Sequence, residues 1–500
     1  MIKGKLTCNT AYRKGMIDPH IFGSFVEHMG RVVYTGIYEP DHPTANKDGF
    51  RQDVLELVRE IGITSVRYPG GNFVSCYNWE DGVGPLELRP KKRELAWRSI
   101  ETNEVGTNEF MKWSSAAHVD TILAVNLGTK GIEDAVHYLE YVNLPTGTKY
   151  SNLRKEHGYA QPYQVKRWCL GNEMDGTWQV GHKTATEYGR LAAETGKAMK
   201  LLDPSIQLIA CGSAKSDMHT FPEWDLEVLN HVYEVADYLA LHQYYGGQLM
   251  GSASFLAQSE DFENYIATVR SAIQVVKAKK RSHKQMFISV DEWGVWAQAP
   301  EDVTQQVDDS PWQIAPAISE QIYTMEDALL FASMLMTIVR NADIIKIGCQ
   351  SLLANISACI MTEKGGETWK QTTFYPFKLL SNHARGQVLD MKAEIPVYSA
   401  NGLENVPEVD SLAVMNQEEI VLFFVNRNDQ EEAEISVELQ GFKPQCIIDS
   451  MILHSDDSKA TNESDHNRVI PHSADNAALN NQTVTVKLLP LSFCMVRVAV

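Results

Sequence analysis

The chain has no CxxC pair among its eight cysteines, which stand at Cys8, Cys76, Cys169, Cys211, Cys349, Cys359, Cys446 and Cys494. Several lie inside apolar runs, where a reduced thiol packs as a small hydrophobe. No run approaches the length of a membrane span, and the stretch from Met1 to Cys8 is too short in apolar residues for a signal peptide. A cytoplasmic location and no membrane partner are therefore expected. The sequence also lacks a G-x-G-x-x-G motif, a His-x-His pair among its fifteen histidines, and any internal repeat at solenoid periods. Positive charge is scarce: 45 Lys and Arg face 64 Asp and Glu, for a formal net charge of -19 and a pI of about 5.3. Phosphate binding needs clustered cations, so a nucleic-acid partner is not expected. The one basic cluster, Arg89-Pro90-Lys91-Lys92-Arg93, reads as a solvated loop or helix face.

What is present is the material of a large core. Apolar residues make up 44% and charged residues 22% of 500 positions, a globular composition at a length that suits a barrel with a smaller partner. From about residue 20 to 355, short β-branched runs alternate with amphipathic ones. The expected strands are Ile21–Glu27, Ser65–Tyr68, Thr121–Asn126, Arg167–Asn172, Gln207–Cys211, Tyr238–His242, Phe287–Asp291 and Ile344–Cys349. Between them, Val54, Leu57, Val58 and Ile61 share a helical face, and Thr184-x-x-Glu187 reads as a capping box. Eight such units predict an α/β fold, a (β/α)8 TIM barrel; the alternative is an open doubly wound sheet, which usually carries the missing glycine fingerprint.

After about residue 383 the helical stripe disappears. Ser411–Asn426, Glu432–Leu439 and Thr483–Val500 alternate as strands do, which predicts a C-terminal β-sandwich, with 456–481 as a long loop. The expected domains are residues 15–382 for the barrel and 383–500 for the sandwich. Residues 1–14 look strand-like and are expected to add an edge strand to the sandwich.

In a TIM barrel the functional groups gather where strands end. Read in order, those ends offer Glu27 and His28, then Arg67 with Pro69-Gly70-Gly71-Asn72, Asn126, Asn172 with Glu173, His242-Gln243-Tyr244-Tyr245, and Glu292 with Trp293 and Trp296. A lone strand-end glutamate is usually a surface carboxylate or a cap, and His242 could equally be a satisfied core histidine. Two such glutamates on strands four and seven, beside amides and tryptophans, form a candidate pair for glycosidic bond cleavage: one carboxyl protonates the leaving oxygen, the other attacks or activates water. Arg67, buried if its strand holds, needs a carboxylate partner, either Glu292 or Glu27.

The segments Ile21-Phe-Gly-Ser-Phe-Val-Glu27-His28, Arg67-Tyr-Pro-Gly-Gly-Asn72, Asn78-Trp-Glu-Asp-Gly-Val-Gly-Pro85, Trp168-Cys-Leu-Gly-Asn-Glu-Met-Asp-Gly176, His242-Gln-Tyr-Tyr245 and Asp291-Glu-Trp293 carry a family resemblance over nearly the full length. The chain resembles the α-L-arabinofuranosidases of glycoside hydrolase family 51. The resemblance implies a barrel with a jelly-roll-like C-terminal sandwich, retention of configuration, exo-acting release of terminal arabinofuranose from oligosaccharides, and assembly as a homohexamer. It implies Glu173 as acid/base and Glu292 as nucleophile, with Asn172 on the sugar 2-hydroxyl. Glu27, Arg67, Asn72 and Tyr244 are implied as pocket contacts, and Trp97 and Trp296 as aromatic walls. No metal and no cofactor are implied.

The chain departs from the family pattern where a glutamine often reaches the sugar. Leu352 stands there, and Gln350, two residues earlier and so on the same strand face, is the candidate substitute. Gly294 and Cys76 replace a common Asn and Gly. A double displacement requires Glu173 to hold a proton, which predicts a raised pKa for it and an ionised Glu292 beside Arg67. The rivals are a β-xylosidase or endoglucanase on the same barrel, a metal-dependent barrel hydrolase, and a sugar-binding protein without activity.

Overall fold

A computed structural model describes residues 1–247, 250–309 and 311–500. Eight parallel strands close into a barrel in chain order: Gly23–Phe25, Ser65–Tyr68, Asp120–Val125, Arg167–Leu170, Gln207–Cys211, Tyr238–Tyr245, Phe287–Val295 and Ile345–Ser351. The last pairs with the first through Cys349 with Gly23 and Ser351 with Phe25, which removes any free sheet edge. Buried β-branched and aliphatic residues fill the strands, as both faces of a parallel sheet are covered.

The first strand is shorter than the expected Ile21–Glu27. Pro19 starts a 3-10 turn over Pro19–Phe22, capped by Asp18, which takes Ile21 and Phe22 out of the ladder. The sixth, seventh and eighth strands instead run past their expected ends, to Tyr245, Val295 and Ser351. Those extensions matter, because they carry Tyr244 and Glu292 within regular strand rather than in loops.

The connecting helices follow from their sequences. Gln52–Ile61 buries Val54, Leu55, Val58 and Ile61 and stops at Gly62, whose φ of 81° lets its N–H reach back to Arg59 and Val58. Ala185–Leu202 opens with the capping box, the Glu187 carboxylate accepting from the Thr184 N–H at 2.9 Å. Met325–Arg340 is buried on every side from Met325 to Val339, because it contacts barrel strands on one face and C-terminal strands on the other.

Beyond the barrel, two larger sheets stand beside three two-stranded ones among the described residues. One orders Lys392–Glu394, Ile2–Asn9, Ala433–Gln440, Thr483–Leu488 and Ala477–Asn480; the other orders Arg13–Met16, Gln387–Leu389, Val409–Met415, Glu419–Asn426, Ser492–Ala499, Cys446–His454 and His472–Ser473. Their shared core includes Leu6, Cys8, Leu422, Phe424, Ile435, Val437, Val484 and Val496. Ile2–Asn9 is an interior strand rather than an edge, pairing with Ala433–Gln440 in parallel and with Lys392–Glu394 antiparallel. The stretch 456–481 is also not all loop: His472–Ser473, with exposed side chains, and Ala477–Asn480, which turns only Ala477 and Leu479 to the core, are short edge strands held by backbone pairing.

Candidate active site

Arg67 is the anchor at the barrel mouth. It rises from the second strand, is fully buried, and donates from Nη1 to Glu292 Oε1 at 2.8 Å and from Nη2 to Asn172 Oδ1 at 2.7 Å. Its Nε lies 3.4 Å from Asp291 Oδ2, and its guanidinium sits 4.8 Å from the Phe25 ring centroid. Of the two carboxylates offered by the sequence, Glu292 is therefore the partner, joined by its neighbour Asp291. Tyr244 donates its hydroxyl to the other oxygen of Glu292 at 2.9 Å and also touches Ser351 Oγ at 2.6 Å. Glu292 is thus fixed by one donor per oxygen.

Glu173 reaches the same point from a turn. The fourth strand stops at Leu170; Gly171 with φ 88° and Glu173 with φ 44° then bend the chain through left-handed conformations that a glutamate rarely adopts. His242 Nδ1 lies 2.9 Å from Glu173 Oε1, and Trp178 Nε1 donates to Oε2 at 2.7 Å. One oxygen of Glu173, one of Glu292 and a ring nitrogen of His242 all lie within 4.8 Å of one another. Those three groups are the ones that could hold a cation among the described residues. Each ring nitrogen of His242 faces carboxylate oxygens, however, which is the geometry of an ion pair with the ring as donor.

The electrostatics of this cluster differ from the sequence expectation. Burial works to raise Glu173, but the His242 hydrogen bond and charge outweigh it and hold the carboxyl below its ordinary value. Burial, together with the Glu173 charge, instead holds Glu292 above its ordinary value against the pull of His242 and Arg67. Burial opposes a charge on His242, yet Glu292 first, then Asp291 and Glu173, push the imidazole up to about 10. Against burial, hydrogen bonds and charge thus favour the ionised form of Glu173 and the charged form of His242, the reverse of the raised Glu173 that the sequence predicts.

The far wall belongs to Glu27. It is buried, and its Oε1 accepts from the Phe73 N–H at 2.8 Å and from Trp97 Nε1 at 2.9 Å. A Cβ on Gly71 would stand 2.2 Å from Glu27 Oε2, so only glycine lets the loop close over the carboxyl. Burial, then the charge of Glu292, pushes Glu27 up to about 8. An acid raised on folding loses stability as pH climbs from its unfolded value near 4.3 to its folded one. Replacing Glu27 by glutamine, which keeps the accepting oxygen, is expected to make the variant gain Tm relative to wild type between pH 5 and pH 8. Thermal melts at the two pH values check this; a constant difference would refute it.

Trp97, Trp296, Asn72, Tyr244, Ser351 and Leu352 complete a cavity of about 300 Å³ with Glu27, Glu173 and Glu292. Trp296 stands edge-on to Tyr244, ring centroids 5.3 Å apart. Asn72 is held by Gln179, whose side-chain amide donates to Asn72 Oδ1. Asn172 lies beneath, its Oδ1 taken by Arg67 and its Nδ2 without a partner among the described residues. Gln350 is not part of the wall. Its amide donates to the Ser357 carbonyl at 2.7 Å, so it is spent inside the protein and does not replace the missing glutamine. Leu352 presents apolar surface at that point instead.

Residue roles for His242, Trp178 and Gln179 were not legible beforehand. Trp178 is 46% exposed despite its size, and its only signal was an aromatic residue shortly after Glu173.

Comparison with known proteins identifies the family of the whole chain. The profile described as Alpha-L-arabinofuranosidase 1 domain matches residues 57–266, and that described as Alpha-L-arabinofuranosidase C-terminal domain matches residues 291–492. The intracellular exo-alpha-(1->5)-L-arabinofuranosidase 1 of Bacillus subtilis (strain 168) is 49% identical over 500 residues, covering 99% of each chain. The chain belongs to the family 51 α-L-arabinofuranosidases. Another family member, the intracellular exo-alpha-(1->5)-L-arabinofuranosidase of Acetivibrio thermocellus, is 46% identical over 501 residues and 100% of both chains. Among solved family 51 structures, AbfB of Bifidobacterium longum superposes with a TM-score of 0.94 at 39% identity over 100% of both chains. The arabinose complex of the Thermotoga maritima enzyme follows at 0.89 and 31%, over 99% of this chain and 100% of that one. The barrel with a C-terminal sheet domain and the glycoside hydrolase activity are those of this family.

Proposed function

We propose that the chain is a retaining, exo-acting enzyme that releases terminal non-reducing arabinofuranose from oligosaccharides, with Glu292 as nucleophile and Glu173 as acid/base. The observation that carries the reading is the separation of the two carboxyl groups, within 4.8 Å at their near oxygens. Inverting enzymes hold their carboxyls about 6.5–9.5 Å apart to admit a water, whereas retaining ones hold them about 5–5.5 Å apart. Glu292 attacks the anomeric carbon while the leaving oxygen is protonated through Glu173; Glu173 then deprotonates the water that frees the sugar. Arg67 and Tyr244 orient Glu292 for attack, and Asn172, Asn72 and Glu27 are the polar groups available to sugar hydroxyls. Trp97 and Trp296 wall the ring in. A cavity of about 300 Å³ is at the small end for ligand pockets, which favours one terminal sugar over a long chain.

The relatives named for (1->5) and, in Bifidobacterium longum, (1->6) activity leave both linkages as candidates here. The same reading takes the enzyme to work inside the cell, as the relatives' names support, on arabinan or arabinoxylan fragments, and as the homohexamer of the family resemblance. A panel of nitrophenyl glycosides tests the activity: brisk xyloside or glucan cleavage without arabinofuranoside turnover would favour the rival glycosidases. Glu173→Ala tests the roles. It is expected to slow natural oligosaccharides by about 10²–10⁴-fold and to form arabinosyl azide when azide is added, because azide attacks the intermediate without a general base. Wild-type rates on oligosaccharides would refute the assignment.

A further inference from the structure

His242 is placed to serve both catalytic glutamates with one proton. Its Nδ1 lies 2.9 Å from Glu173 Oε1 and 3.6 Å from Glu292 Oε2, and its Nε2 lies 3.3 Å from Asp291 Oδ1. Carboxylates only accept hydrogen bonds. An imidazolium presents an N–H to Glu173 at Nδ1 and its charge to Asp291 at Nε2, whereas a neutral ring with an N–H on Nε2 fits the 2.9 Å contact only if Glu173 itself carries the proton and donates it to Nδ1. The charge count agrees: Asp291 and Glu292 are buried around Arg67, half-buried Glu173 joins them at His242, and an imidazolium supplies the second cation that so dense an anionic cluster needs.

We propose that His242 stores the proton that Glu173 delivers to the leaving group, and that attack by Glu292 triggers its transfer. The proposal rests on the functional reading above and names the proton's source within it. When Glu292 bonds to the anomeric carbon, its negative charge is consumed, and the imidazolium loses the anion that contributes most to holding its charge. Glu173, ionised in the free enzyme, takes the Nδ1 proton and passes that same proton to the leaving oxygen as the glycosidic C–O bond breaks. The glycosyl-enzyme then holds a neutral His242, an esterified Glu292 and an ionised Glu173 ready to act as base. In the second step Glu173 removes a proton from water, the water oxygen bonds to the anomeric carbon, and the Glu292 ester breaks. The returning charge on Glu292 draws the proton from Glu173 back to Nδ1. Attack and proton delivery are thereby coupled through one ring.

Nitrogen-15 NMR of histidine-labelled protein tests this, with His242→Asn used to assign the resonances. At pH 8 the free enzyme should show both His242 nitrogens protonated, and trapping with a 2-deoxy-2-fluoro-arabinofuranosyl fluoride should convert the ring to the neutral form. A neutral ring in the free enzyme, or an imidazolium that persists after trapping, would overturn the proposal. Kinetics give a second readout. His242→Asn should lose about 10²–10⁴-fold in kcat/KM on arabino-oligosaccharides and less than about tenfold on dinitrophenyl arabinofuranoside, whose leaving group needs no acid. Unlike Glu173→Ala, it should form no arabinosyl azide, because Glu173 remains to repel the anion. Equal loss on both substrates would mark a purely structural histidine and refute the storage role. Absence of arabinofuranoside turnover by the wild-type protein would instead remove the functional reading, and the proposal with it.

Discussion

Replacing Glu292 by alanine is expected to lower arabinofuranoside turnover by about 10⁴-fold or more, the scale on which removing a covalent nucleophile acts, without loss of folding stability. The second half of that expectation is the more informative. Ordinarily, removing one member of a buried ion pair leaves its partner uncompensated and destabilises the protein. Here Arg67 keeps Asp291 at 3.4 Å, and His242 keeps Glu173 at 2.9 Å and Asp291 at 3.3 Å. With His242 protonated, the wild-type cluster sets two cations against three anions; the variant sets two against two. Tm at neutral pH should therefore be unchanged or higher. A clearly lower Tm would show that Glu292 is needed for packing and that the anionic excess has been misjudged.

Arg67→Met is expected to do the reverse, destabilising the fold by about 3–5 kcal/mol, the usual cost of stripping one partner from a buried charge cluster, and abolishing turnover as well. Methionine fills a similar volume beside Phe25, so the loss is one of charge and hydrogen bonding rather than of a cavity. Glu292 and Asn172 lose their donor and Asp291 its ion-pair partner at once, and His242 alone must face three carboxylates. Glu292 should then take up a proton near neutral pH and cease to be a nucleophile. Lysine at this position is not a conservative replacement, since one ammonium cannot present the planar fork that reaches Glu292 and Asn172 together. Urea unfolding of the two variants, with proton uptake followed by titration, checks the expectation; an Arg67→Met protein within about 1 kcal/mol of wild type would contradict it.

Much of this site was readable from local pattern. Glu173 and Glu292 each close a short apolar run, and eight such runs alternating with helical stripes are enough to place them on one rim, because parallel strands in a barrel all end on the same side. Arg67 inside a buried strand announced its need for an anion. The sandwich strands Val409–Met415 and Glu419–Asn426 showed their β character in the absence of a helical stripe. Where local reading fell short, a neighbour distant in sequence was responsible. Gln350 shares a strand face with Leu352, yet the Ser357 carbonyl claims its amide, and no pattern in the strand foretells that turn. Ile2–Asn9 looked like an edge because one strand cannot show how many partners it has.

The sequence by itself therefore determined the barrel, the two glutamates and their buried arginine, since period, composition and strand ends are local properties of a chain. Only the tertiary structure decided which charges surround His242. The charge state of His242 depends on carboxylates 49, 50 and 69 residues away being packed within a few ångströms of its buried ring, and a pKa is set by such distances and by burial rather than by residue type.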